Sequence, residues 1–268
     1  MTTRDNSVVQ VPQPLIHFPP FFPAQVPQKG FSRTSISEYG DLITVSAPET
    51  PRVRELVIFL AALTFFEGVE CPSGQDRIKT TIPGREWRRR AGLGRTARER
   101  AAWEQSIKTL AGVQYDVVVG GAPRGGGVQY KKREAEPPFR RVILTGILGD
   151  IKFHRDNEDS VTVSILRDFV ADIDRTGLRV SLTHILALRG NISRLLAYVL
   201  YGRQAWLGTW EQLAGLAGIS EWNAGWKQRQ ALKSALDELG QNGFLVTIGG
   251  EKIKIARKKG LLGGVISV

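Results

Sequence analysis

The chain has little sulfur chemistry to offer. Cys71 is its only cysteine, so neither an internal disulfide nor a thiolate metal cluster can form. Histidine is scarce too: His17, His154 and His184 lie far apart, and none stands in a metal-ligand spacing. Long apolar runs are missing. The longest, ELVIFLAALTFF over Glu55–Phe66, falls short of the ~18–20 residues that span a bilayer and reads as a buried helix. The amino-terminal MTTRDNSVVQ lacks the basic-then-apolar layout of a signal peptide. The glycine-rich GGAPRGGG, Gly120–Gly127, has no G-K-[ST] ending and precedes no clear helix, so it reads as a hairpin tip, not a phosphate loop. DNED, Asp156–Asp159, reads as a short acidic turn. These absences leave a cytoplasmic protein without membrane partner, cofactor, metal or catalytic residues as the expectation.

What is abundant is positive charge. Lysine and arginine number 37 against 26 acidic residues, for a formal net charge of +11, which favours an anionic partner. At 268 residues and 42% hydrophobic content, the chain can bury one large core or two of the usual ~100–150-residue size. Residues 1–50 are punctuated by Pro12, Pro14, Pro19, Pro20, Pro23, Pro27 and Pro48, and their first part is expected to be disordered. Within them PLIHFPPFFP, Pro14–Pro23, leaves Leu15, Ile16, Phe18, Phe21 and Phe22 exposed unless something covers them. It is an arm packed on the first domain or a docking peptide.

From Pro51 onward the pattern predicts elements. RVRELVIFLAALTFF is apolar all round, as a core helix is. A short helix and a longer basic one follow, then a strand, VQYDVVV, from Val113. FRRVILTGILGDIKF, Phe139–Phe153, returns as a strand, SVTVS pairs beside it, and ILRDFVADI, Ile165–Ile173, is expected to be helical. NISRLLAYVLYGRQAW opens a second unit, with Asn191 or Ser193 available as N-cap.

The two units repeat each other. Trp87, Ala91, Gly92 and Leu93 have the spacing of Leu213, Ala217, Gly218 and Ile219. With three extra residues after Ile219, Ile107 falls on Leu236, Leu110 on Leu239, Tyr115 on Phe244, Val117 on Val246 and Val119 on Ile248, apolar in both copies throughout. Helix, short helix, glycine turn, longer helix and β-hairpin, twice over, is the order of a winged helix-turn-helix. The turn glycine suits a residue at positive φ.

The 100° step of a helix places the faces. Leu232, Leu236 and Leu239 share a buried face, opposite Asn223, Trp226, Lys227, Gln230 and Ser234, with Arg229 and Lys233 at the flanks. In the first unit Trp103, Ile107 and Leu110 are buried, opposite Arg98, Ala101, Ala102, Gln105 and Thr109, with Arg95 beside them. Arg pairs with guanine, Gln with adenine, and Ala or Thr methyls touch thymine. Arg88 adds to the basic flank of the first unit, Lys131, Lys132 and Arg133 to its hairpin, and Lys252 and Lys254 to the second, as phosphate or minor-groove contacts.

Taken with these residues, the arm PLIHFPPFFP, the strand-like YGDLITVSAP, IPGREWRRRAGLG, WEQSIKTLAGVQYDVV and RGNISRLLAYVLYGRQAW make the chain resemble the plasmid replication initiators of the replication initiator protein A (RepA/TrfA-like) group over nearly its whole length. The resemblance implies binding to direct repeats at an origin, opening of nearby A+T-rich DNA, recruitment of the host replicative helicase or initiator, and homodimerisation through the first domain. The expected fold is α+β: a proline-rich arm over 1–44, partly disordered, then two tandem winged-helix domains over 45–180 and 181–268. The expected partner is double-stranded DNA. A transcriptional repressor would use the same face; a protein–protein module would carry winged helices without DNA contact.

Overall fold

The computed structural model describes residues 8–11, 15–16, 19–23, 29–36, 42–67, 69, 75–119, 140–145, 147–154, 159–167, 178–219 and 225–258. It is a mixed α+β chain with several small antiparallel sheets. Among the described residues no helix is long and apolar enough to cross a membrane, and no group of three or more His, Cys, Asp or Glu could hold a metal ion.

The first unit is built on α1, Val53–Leu63, in which every residue but Arg54 is buried. An apolar residue at nearly every position leaves such a helix no water-facing stripe, so the chain must wrap it. Strand β4, Arg77–Ile82, leads to α2, Gly84–Arg90, and then to α3, Ala97–Ala111. Trp87 and Trp103 meet edge to face at 5.4 Å, and the Trp87 indole donates to the carbonyl of Ile58 at 2.8 Å, so the polar edge of a buried ring is satisfied. The one buried carboxylate of α1, Glu55, accepts from the Arg52 N–H at 2.8 Å and from Ser106 Oγ on α3 at 2.6 Å. It thereby joins the start of α1 to the long helix.

The second unit repeats this order. It runs from β9, Leu178–Ser181, and α4, Leu182–Ala187, through α5, Asn191–Tyr201, to β10, Ala205–Thr209. Helices α6, Trp210–Leu216, and α7, Trp226–Gln241, precede the ribbon of β11, Phe244–Gly249, and β12, Lys252–Arg257. Ala91 and Ala217 each end the short helix, and the next residues, Gly92 and Gly218, stand at φ +67° and +71°. That left-handed backbone is where a side chain would be strained, so the repeated Ala-Gly marks the same turn twice.

The ribbons correct the sequence alignment. In the second unit β10 pairs with β12, giving the order β10-β12-β11. In the first, β4 pairs with β8, Val161–Leu166, whose hairpin partner is β7, Gly149–Phe153. By pairing, the counterpart of β11–β12 is therefore β7–β8. Strands β5, Gln114–Val119, and β6, Arg140–Thr145, belong to another sheet, with β2, Lys29–Ile36, and β3, Leu42–Glu49, in the order β2-β3-β5-β6. FRRVILTGILGDIKF is thus two strands in two sheets, divided at the buried Ile147 and Leu148. Ile165 and Leu166, expected to open a helix, close β8 instead.

The arm is covered by its own chain. Strand β1, Val8–Val11, pairs with β9. Leu15, Ile16 and Phe21 are at most 1% exposed. Phe21 lies 6.3 Å from Phe59 of α1 and 6.1 Å from Tyr198 of α5, so it touches both units. Tyr198 Oη donates to the carbonyl of Leu15 at 3.0 Å. The arm packs between the units, where the sequence reading had offered only the first or a partner.

The N-cap of helix α5 is Gly190, and neither Asn191 nor Ser193 caps it as expected. Asn191 sits one residue inside and donates to the Pro23 carbonyl at 3.4 Å. The capping oxygens come from α7: Glu238 accepts from the N–H of Arg189 at 2.5 Å, the N–H of Gly190 at 3.1 Å and Ser193 Oγ at 2.5 Å. Burial alone would raise the Glu238 carboxyl, but these bonds and the nearby Arg194 charge outweigh it and hold it below the ordinary glutamate value. A depressed carboxylate stabilises the fold above its unfolded value of ~4.3 and loses that contribution as pH falls through the lower folded value. Glu238→Gln is expected to lower stability by about 1–2 kcal/mol at pH 7, with partial exposure discounted. In urea titrations the gap to the parent should shrink at pH 3. An equal gap at both pH values would mean the charge is not what caps α5.

Candidate nucleic-acid interface

The long helix of each unit buries one face and bares the other. On α3, Trp103, Ile107 and Leu110 are fully buried, while Arg98, Ala101 and Gln105 are exposed, as is Arg95 just before the helix. On α7, Leu232, Leu236 and Leu239 are buried, and Trp226, Lys227, Arg229, Gln230, Lys233 and Ser234 are exposed. Trp226, at the first position of α7, is 73% exposed. So large an apolar ring at the tip of a helix is costly in water and suited to a flat or grooved partner.

Capping fixes where α3 starts. Thr96 Oγ1 accepts from the Glu99 N–H at 3.2 Å, and the Glu99 carboxylate accepts in return from Thr96 and from the Gly94 N–H at 3.1 Å. The Thr96 hydroxyl and these backbone donors hold the Glu99 carboxyl below its ordinary value. This capping box satisfies the first turn and sets Arg95 and Arg98 on either side of it. Neither arginine has an ion pair or side-chain hydrogen bond among the described residues. The same holds for Lys227, Lys233, Lys252 and Lys254. Their charges are available to an anion.

Three arginines of GREWRRR, Gly84–Arg90, are committed elsewhere. Arg88, assigned by sequence to the contact set, is corrected: it is 6% exposed, its Nη2 donates to Asp159 Oδ2 at 3.0 Å, and its guanidinium lies 5.0 Å from the Trp103 ring. Arg90 lies 4.1 Å over Phe65 and bonds to Glu86 and Thr64. Arg89 bonds to Glu86 at 2.6 Å, and the two arginines bring the Glu86 carboxyl down to about 2, against the opposing effect of burial. Thr109, expected on the open face of α3, is also buried, and its Oγ1 donates to the carbonyl of Gln105 at 3.2 Å. A hydroxyl satisfied by its own helix can be packed away.

Sequence reading missed Asp159. Its carboxylate reaches Arg88 of α2 with Oδ2 and Arg100 of α3 with Oδ1 at 2.9 Å, clamping the two helices from the β7–β8 hairpin. In the sequence it was only the end of an acidic turn.

In the second unit the ribbon is tied to the starts of α6 and α7. Arg229 Nη2 donates to Glu251 Oε1 at 3.0 Å, and the Trp210 indole donates to the Gly250 carbonyl at 3.3 Å. Lys252 and Lys254 alternate with the buried Ile253 and Ile255 on β12, so both lie on its outer face. They stand on the strand that opens beside Glu251, and so near the first turns of α7. No hydrogen bond or ion pair among the described residues joins the named residues of the α3 face to those of the α7 face. Lys131, Lys132, Arg133 and Asn223 lie outside the described residues; the strands flanking the first three, β5 and β6, are not the counterpart of β11–β12.

No protein-family model and no curated protein sequence matches the chain. The fold does have counterparts among solved structures. A crystal structure of a selenomethionine derivative of domain 2 and domain 3 of RctB superposes with a TM-score of 0.60 at 11% identity, covering 92% of this chain and 98% of that one. A second crystal structure of RctB domains 2–3 gives 0.57 at 11% identity, over 91% and 96%. The likeness is one of fold, and its coverage takes in both units.

Proposed function

We propose that the chain is a cytoplasmic, non-enzymatic protein that binds double-stranded DNA sequence-specifically through two winged helices and initiates plasmid replication. The observation that carries this is the repetition of one unit: a short helix, a left-handed glycine at Gly92 or Gly218, and a long helix with a buried apolar stripe and a bare basic face. A net charge of +11 fits a polyanionic partner. The resemblance to replication initiators in the residues, and the shared fold with RctB domains 2–3, support the initiator role over a repressor. Origin repeats as the target, opening of the duplex and recruitment of a helicase belong to the same proposal. So does homodimerisation through the first unit, whose β2-β3-β5-β6 sheet has no counterpart among the described residues of the second.

The residues proposed to read bases are Arg98, Ala101 and Gln105 on α3, and Trp226, Lys227, Gln230 and Ser234 on α7. Arg95, Arg229, Lys233, Lys252 and Lys254 are proposed to position the backbone. The test selects bound sequences from random DNA with the parent chain, then repeats the selection with Arg98→Ala and Lys227→Ala. Both side chains are exposed, so folding should be unchanged. Each loss should cost ~1–3 kcal/mol of specific binding and relax preference at one position of the site. A uniform loss over all sequences would move that residue to the phosphate contacts. If neither variant alters binding, these faces do not read DNA.

A further inference from the structure

An open cleft of about 550 Å³ lies where the two units meet. It is lined by Arg52, Arg54 and Val57 of the first unit's opening helix, by the turn Ala91-Gly92-Leu93, and by Leu186, Asn191 and Arg194 of the second unit. Three of its lining residues are arginines and none is acidic. Their surroundings differ. Arg52 is paired with Glu55 at 3.3 Å. Arg194 is half-buried, with Nε held by the Leu188 carbonyl at 2.6 Å and Nη2 facing the Leu186 carbonyl at 3.4 Å. Two neutral acceptors fix its orientation, and the carboxylate of Glu238 acts on its charge through space without a direct hydrogen bond. Arg54 is the one exposed residue of α1 and has no ion pair or side-chain hydrogen bond among the described residues. The cleft therefore offers a fixed guanidinium and a free one across an apolar floor, which suits an anion with more than one oxygen.

We infer that this cleft binds a phosphodiester of the same duplex that the two long helices contact. This rests on the function proposed above. The choice of a duplex phosphate over a free anion follows from position. The turn at Gly92 leads within three residues to Arg95 and the start of α3, and the opposite wall is the first turn of α5, in the unit that carries α7. Two helices in successive major grooves stand ~34–36 Å apart along one face of the duplex. With both long helices so docked, the backbone between those grooves would pass the junction of the units. A phosphate held there positions both units without reading sequence.

The experiment uses the full chain and variants Arg54→Gln and Arg54→Lys, with duplex binding measured from low to high salt. One phosphate contact contributes ~0.9 to the slope of log affinity against log salt, which is about fivefold at 0.15 M. Arg54→Gln should lose about that much in both, with its selected sequence unchanged. Arg54→Lys should recover most of the slope. In parallel, inorganic phosphate and ATP are titrated into the parent. If the parent binds duplex and Arg54→Gln matches it in slope and affinity, the inference is overturned and the proposed function stands. If ATP or phosphate binds in an Arg54-dependent way while duplex binding is unaffected, the cleft holds a small anion and the duplex assignment is wrong. If the parent binds no duplex at any salt, both readings fall together.

Discussion

Removing residues 1–23 is expected to abolish the single cooperative melting transition of the chain, or to lower its midpoint by more than 10 °C. The truncation takes away Val9, Val11, Leu15, Ile16 and Phe21, all buried to within 1%. At ~1.5–3 kcal/mol for each fully buried side chain, the gross loss is on the order of 8–15 kcal/mol, comparable with the whole stability of a domain at ~5–15 kcal/mol. The entropy of ordering the arm offsets part of it. What remains is still large, because the arm leaves holes on both sides: Phe59 and Tyr198 lose the ring between them, and Tyr198 Oη loses the Leu15 carbonyl. A milder form separates packing from length. Phe21→Ala keeps the arm and is expected to cost ~3–5 kcal/mol. If both variants melt with the parent, the arm is dispensable to the fold, and its contacts between the units carry no stability.

Much of this was legible in the residues. Trp103, Ile107 and Leu110, like Leu232, Leu236 and Leu239, show their buried face through helical spacing alone, because one apolar stripe on a long helix admits one orientation. The Ala-Gly turn was legible for a similar reason, since few residues tolerate positive φ. Strand partners were not. VQYDVVV reads as a strand from its β-branched residues, but nothing local says that β5 pairs with β3 while β4 awaits β8, more than 80 residues later in the sequence. Arg88 was misplaced on the same account. On a helix as short as α2 the charge of a side chain does not reveal its face, and the carboxylate that draws Arg88 inward, Asp159, arrives 71 residues later. Glu238 was invisible as a cap because its target, the start of α5, lies on another helix. Local chemistry is written in the sequence neighbourhood; the distant carboxylates that lock helices within each unit are not.

The proposed DNA complex should be sensitive to the phase of its two half-sites, and inserting five base pairs between them is expected to weaken binding by ~10²–10⁴-fold. Two linked modules gain that much from effective concentration when geometry lets both engage, and lose it when geometry does not. Here the geometry has little slack. Phe21 is shared between Phe59 and Tyr198, Phe22 lies against Gly218, and Arg33 of β2 reaches the Gly215 carbonyl on α6 at 3.5 Å. Five base pairs turn one half-site about half a revolution, at ~10–10.5 base pairs per turn, and shift it ~17 Å at 3.4 Å per step. The decisive comparison is an insertion of ten or eleven base pairs. It restores the face but moves the half-site a full turn away, so units packed as one body cannot follow and affinity should stay low. Units joined only by a flexible segment would regain affinity at that spacing. If the five-pair insertion has no effect at all, one unit binds alone. The bare face of the other long helix then serves some contact other than the same duplex.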